Sequence, residues 1–169
     1  MGNFLKKSIA LMAMVLSIPE AQAVAESAQA FSLIDSTPVN QTWLNAGFYS
    51  YHLQRDKGLQ DSNPGLGIEQ RFSTVTSLTA GRFYNSDRRY SNYAGVYYQP
   101  IAAGPFRFGA VVGVFNGYPK MRNGGLFLAA IPVVTFEHTS VGVNVAFIPG
   151  YRNRLYGAVA LQLKLKVWD

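Results

Sequence analysis

The stretch that decides the fold is GAVALQLKLKV, residues 157–167. Val159, Leu161, Leu163, Leu165 and Val167 fall on one parity, and Ala158, Ala160, Gln162, Lys164 and Lys166 on the other. Successive side chains of a strand point to opposite faces, so this alternation describes a strand with one wholly apolar face and one small or polar face. VGVNVAF, residues 141–147, repeats it: Val141, Val143, Val145 and Phe147 oppose Gly142, Asn144 and Ala146. A lipid-facing outside and a small or polar lumen is the pattern of an outer-membrane barrel. A soluble sandwich or lipocalin-like barrel would also alternate.

Working outward, the pattern predicts about eight strands, at 44–54, 64–72, 75–84, 92–100, 105–115, 125–136, 139–148 and 155–168. Each is near the roughly 9–11 residues that cross a bilayer at a tilt. The connections alternate in length. Short turns are expected near 72–75, 100–104 and 136–140, and longer polar loops near 55–63, 85–91, 116–124 and 149–154. Short turns on the periplasmic side and longer loops outside are what a bacterial barrel has. His138 falls in a short turn and receives no role. The fold expected is therefore all-β, an eight-stranded antiparallel transmembrane β-barrel.

The N-terminus supplies the route to such a membrane. Lys6 and Lys7 form a positive region, residues 8–18 an apolar run, and Ala21-Gln22-Ala23 a small-residue cleavage site. This reads as a secretory signal peptide over residues 1–23, too short for a spanning helix, which implies export to a bacterial outer membrane. Residues 24–42 would follow as a periplasmic segment and 43–169 as the barrel. Without cysteine, no disulfide framework or thiolate chemistry is open to the chain. No histidine and carboxylate cluster has the spacing of metal ligands, so no metal and no cofactor are expected. Removing Lys6, Lys7 and Glu20 takes the formal charge from +6 to +5, which favours anionic partners.

Each long loop carries two basic residues: Arg55 and Lys57, Arg88 and Arg89, Lys120 and Arg122, Arg152 and Arg154. A basic outer rim would meet the phosphates of lipopolysaccharide, which arginine binds bidentately. Trp43, Phe48, Tyr49, Tyr51, Phe83, Tyr84, Tyr90, Tyr93, Tyr97 and Tyr98 cluster toward predicted strand ends, as an interfacial girdle would. Trp168 falls on the lumen parity, so a one-residue slip is expected in the last strand. Gly109, Val111 and Gly113 face inward in strand five, and strand six is apolar on both faces. An interior of this size holds side chains or one small ligand, and small apolar lining leaves room for a slim hydrocarbon chain. Pro132 interrupts strand six and removes a ladder donor, so a local gap in the wall is expected there.

His52 and Ser86 are the chemistry candidates, at the outer ends of strands one and three. Neighbouring hairpins can bring them to one rim, and histidine with serine is the minimum pair for acyl transfer. A third group usually orients the imidazole, and Asn85, Asp87 and Asp56 are all near enough in sequence.

Four short motifs, in order over residues 42–168, resemble the lipid A palmitoyltransferase family of Gram-negative outer membranes. Tyr51-His52 matches the family's aromatic–histidine pair at the end of strand one. Asn63-Pro64-Gly65-Leu66-Gly67 is similar to its Asn…Pro-Gly-Gly-Gly start of strand two. Phe83-Tyr84-Asn85-Ser86 resembles its Phe-x-Asp-Ser, and Ile148-Pro149-Gly150-Tyr151-Arg152-Asn153 its late Ile-Pro-Gly turn. The resemblance implies an enzyme that moves a palmitoyl chain from a phospholipid donor to a lipid A acceptor, with the acyl chain inside the barrel. It implies His52 as general base, Ser86 as nucleophile or hydroxyl partner, and Asn85 or Asp87 as orienter. Arg88 and Arg89 would hold lipid A phosphates. Asn85 departs from the family's aspartate, because an amide cannot stabilise an imidazolium as a carboxylate does. The expected partners are thus phospholipid, lipid A and the outer membrane, with the chain a monomer that takes no nucleic acid. A non-catalytic barrel of this fold, a lipid A deacylase and a soluble lipid-binding barrel are the rival readings.

Overall fold

The computed structural model describes residues 30–169; the expected signal peptide lies outside the described residues. The chain divides into two units, and the barrel unit is Leu33–Asp169. Its strands are β1 (Pro38–His52), β2 (Ser62–Ser73), β3 (Thr76–Tyr84), β4 (Tyr90–Ala103), β5 (Phe106–Phe115), β6 (Phe127–His138), β7 (Val141–Ile148) and β8 (Ala158–Trp168). Each pairs antiparallel with the next, and β8 returns to β1, which closes the sheet. Closure satisfies the backbone groups at every edge but those discussed below, the condition for strands to stand in hydrocarbon. Two 3-10 turns interrupt the long loops. Among the described residues no helix is long and apolar enough to cross a membrane. The first strand begins at Pro38, six residues before its expected start at 44, because its beginning pairs with Ser73 at the base of β2.

Alternation holds along the wall. Leu66, Ile68, Leu78, Val96, Val112, Leu128, Leu161, Leu163 and Leu165 are exposed. Between them stand the buried Asn45, Glu69, Thr79, Thr135, Asn144, Gln162 and Lys164. An apolar exterior around a lumen that buries polar and charged side chains inverts the arrangement of a soluble barrel, and such a surface suits lipid. The short connections are residues 74–75, 104–105 and 139–140, and the long ones 53–61, 85–89, 116–126 and 149–157. The expected slip in the last strand is present. Thr42 pairs with Trp168 but Trp43 with Lys166, so the extra residue Val167 turns Trp168 outward.

The aromatic girdle is only half right. Tyr49, Tyr51, Tyr90 and Tyr98 are exposed on the wall, but Trp43, Phe83, Tyr93 and Tyr97 are buried in the lumen. Their parity, not their place near strand ends, sets the direction. Tyr93 lies across the interior against Gly67 and Gly81, where any added Cβ would fall within 2.2 and 2.6 Å of its hydroxyl.

The lumen is layered. Toward the short turns, Glu69 accepts from Lys164 at 2.9 Å and Ser77 at 2.9 Å, with Arg71 at 3.3 Å. Glu137 accepts from Arg71 at 2.8 Å and pairs with Lys164 at 2.7 Å. The Trp43 ring is packed against both cations. Buried charges survive only when paired and hydrogen-bonded, which this network achieves. Above it a neutral chain crosses the lumen, from Gln99 to Thr135 (2.8 Å), Thr135 to Asn144 (2.7 Å), Asn144 to Gln162 (3.2 Å) and Gln162 to the Ala46 carbonyl (3.1 Å). The apolar lining read from strands five and six therefore belongs to the long-loop half alone.

Candidate active site at the long-loop rim

His52 is the last residue of β1, and the parity that buries Ser50 also turns its ring inward, leaving it 4% exposed. The chain then leaves the barrel and turns through Arg55–Lys57, with Gly58 in the left-handed region at φ 63°. Its return is fixed by two backbone bonds: Leu53 N–H donates to Gly157 at 2.9 Å and Ser50 N–H to the Asp61 carbonyl at 2.7 Å. Asp61 is thereby laid beside His52, and its Oδ1 lies 3.0 Å from Nδ1. Gln60 N–H donates to the Ser86 carbonyl at 3.1 Å, which ties this loop to the next. Ser86 Oγ stands 2.9 Å from His52 Nε2.

The result is a Ser86–His52–Asp61 chain with both ring nitrogens engaged. If Ser86 donates to Nε2, Nδ1 carries the other proton and donates to Asp61, the tautomer a general base requires. The hydrogen bond from His52 holds the Asp61 carboxyl below the usual carboxylate range, helped by Arg55, whose Nη1 reaches Oδ2 at 3.3 Å. Arg55 is itself seated 4.6 Å over the Tyr51 ring.

The structure brings Asp61 to Nδ1, and none of the three orienters expected from sequence. The hydrogen bonds of the Asn85 amide go elsewhere than to His52. Asn85 is fully buried and braces its own loop: Oδ1 accepts from the Asp87 and Arg89 N–H groups at 3.0 Å each. Its Nδ2 donates to Ser91 Oγ at 2.8 Å and to the Gly117 carbonyl at 2.9 Å. An amide supplies the two donors and the doubly accepting oxygen that these four bonds use, which a carboxylate cannot. Asp87 lines the cavity mouth near Tyr118, and Asp56 pairs with Lys57 at 2.7 Å. Arg88, with φ 58°, and Arg89 are exposed in the 85–89 loop; the arginines that line the mouth are Arg122 and Arg154. Asp61 escaped the sequence reading because proximity along the chain favoured Asp56 and Asp87. Its one local signal was its place immediately before β2, opposite the end of β1.

Below this rim lies a cavity of about 580 Å³. His52 and Ser86 stand at its mouth, Phe48, Phe83, Val111 and Phe127 form its walls, and Tyr93 and Tyr97 reach its depth. Burial pushes the Tyr118 hydroxyl at the mouth above its usual range. The wall is open on one side. Pairing of β6 with β7 begins only at Val133↔Ala146, so residues 127–132 bond to β5 but not to β7. The gap starts at Pro132, which lacks an N–H. Leu128 and Ala130, on the outward parity of β6, also line the cavity, which places it in reach of the surrounding lipid. Among the described residues no group of three His, Asp or Glu could hold a metal ion.

No protein-family model and no curated protein matches the chain. Solved structures do. The solution NMR structure of the de novo designed TMB2.3 has a TM-score of 0.53 at 16% identity, covering 80% of this chain and 98% of that one. A second, from work described as de novo design of transmembrane beta-barrels, has a TM-score of 0.50 at 14% identity, covering 79% and 100%. The likeness is one of fold, and this chain is an eight-stranded transmembrane β-barrel.

Proposed function

We propose that this barrel is an acyltransferase of a Gram-negative outer membrane, moving a palmitoyl-type chain from a phospholipid to lipid A at the outer leaflet. The observation that carries the reading is the Ser86–His52–Asp61 chain at the mouth of an apolar cavity. A serine–histidine pair with a carboxylate on the far nitrogen is suited to acyl transfer. A cavity of about 580 Å³ lies in the size range of ligand sites, about 300–1,000 Å³.

In this reading the donor's acyl chain slides through the gap above Pro132 into the cavity, leaving its ester at the rim. Ser86 Oγ attacks the ester carbonyl while His52 Nε2 takes the hydroxyl proton. The bond to the glycerol oxygen breaks, and that oxygen leaves with the proton as a lysophospholipid. A lipid A hydroxyl then gives its proton to His52 and attacks the seryl ester; the bond to Ser86 Oγ breaks, and that oxygen takes the proton back from His52 Nε2. Asp61 orients the ring and balances the imidazolium in both steps. Arg122 and Arg154 line the mouth and so suit the acceptor's phosphates better than Arg88 and Arg89, which do not line it.

The test is mass spectrometry of lipid A from cells with and without the protein. An added acyl mass that vanishes in H52A and S86A is expected. A lost acyl mass would make the protein a deacylase with water as acceptor, and an unchanged profile would leave a barrel without this chemistry.

A further inference from the structure

The opposite mouth of the barrel, among the short turns, holds a second and smaller cavity of about 220 Å³. It is lined by Arg71, Arg107, Lys166 and Glu137, with Thr74 and Thr139. Its charges do not cancel. Arg71, Arg107 and Lys164 face Glu69 and Glu137, so one positive charge is left over, and at the rim Lys166 lines the cavity while pairing at 2.8 Å with the solvent-exposed Asp169.

The surplus can be assigned to a residue. Glu137 is occupied by Arg71 at 2.8 Å and Lys164 at 2.7 Å. Arg107 Nη1 remains 3.8 Å from it, beyond hydrogen-bond range. Arg107 Nη2 donates to the Thr74 carbonyl. Arg107 Nε is fully buried and has no acceptor among the described residues. A buried guanidinium donor without a partner is costly, and an uncompensated charge in a lumen is costlier still. An anion of matching size beside Nη1 compensates that charge.

We infer that this mouth is a binding site for a phosphate-type oxyanion. One oxygen is held by Arg107 Nη1, which lines the cavity and reaches Glu137 only at 3.8 Å, with Arg71 and the rim ammonium of Lys166 supplying the field. Arginine donors favour phosphate and carboxylate oxygens in this geometry. The space is far smaller than the cavity under His52, so it takes a headgroup or a free ion, not an acyl chain. The inference does not depend on the reaction at the other rim.

The full barrel in phosphate-free maltoside micelles is titrated with inorganic phosphate or with a short-chain phosphatidylglycerol, followed by 31P NMR. Saturable binding of phosphate alone assigns a free-anion site, and saturation only by phosphatidylglycerol assigns a lipid headgroup; either supports the site. Losing a charge-assisted bond in R107Q should weaken binding about tenfold. K166M, at the rim, should fold as wild type and bind more weakly, and it decides the matter if R107Q does not fold. Absence of saturation by either probe overturns the inference, as does wild-type affinity in K166M together with R107Q where that variant folds.

Discussion

Asp61→Asn tests the active-site reading most directly, because it separates the observed geometry from the orienters that sequence proximity favours. The amide keeps an oxygen 3.0 Å from Nδ1, so the ring can stay oriented, but the charge that balances an imidazolium is removed. It also frees the amide to flip and stabilise the wrong tautomer. Replacing a fully buried triad aspartate by asparagine costs about 10⁴-fold in rate. Asp61 is part-exposed, with 30% of its side chain open to solvent, and Arg55 already shares its charge. Screening therefore puts the expected loss nearer about 10²-fold. The assay is transfer of labelled palmitate from phospholipid to lipid A in detergent, with kcat and KM separated. The loss should fall on kcat, since Asp61 acts on the developing charge and touches no lipid. Folding is checked by heat-modifiable migration on gels. If D61N retains wild-type kcat while D87N loses it, the Ser86–His52–Asp61 assignment is wrong.

Three further outcomes follow from particular contacts. Asn85→Asp should lower stability by about 1–3 kcal/mol without raising activity, since a carboxylate cannot donate to Gly117 and remains out of reach of His52; chemical unfolding in micelles measures it. Lys164→Met should destabilise the barrel by about 3–5 kcal/mol by leaving Glu69, 1% exposed, short of a charge partner, and adding Glu69→Gln should recover part of the loss in the same unfolding assay. Because the folded-state pKa of Asp61 is depressed, its contact with His52 is fully present above the ordinary carboxylate value of about 3.9 and is lost as pH falls through the lower folded value. Imidazole 15N resonances should report that acid transition, and D61N should abolish it.

The wall was legible in residues 141–147 and 157–167 because lipid exposure is a one-residue property. A strand's parity assigns each side chain to lipid or lumen with no knowledge of its neighbours, and loop lengths then orient the barrel. His52 and Ser86 were legible for the same reason, each standing at a strand end on the long-loop side. What closure decided is everything that needs two strands distant in sequence to meet at a given register. Glu69 reaches Lys164 only because β8 pairs with β1 and β1 with β2, which carries residues 95 positions apart to one level of the lumen. Asp61 displaces Asp56 and Asp87 because the Ser50 and Leu53 backbone bonds set how the first loop returns. Trp43, Phe83, Tyr93 and Tyr97 face the lumen because parity overrides their place along the strand, and Val167 bulges because the closing register has one residue too many on β8. Local pattern determines which side a residue faces, but only the pairing of remote strands determines what it meets there.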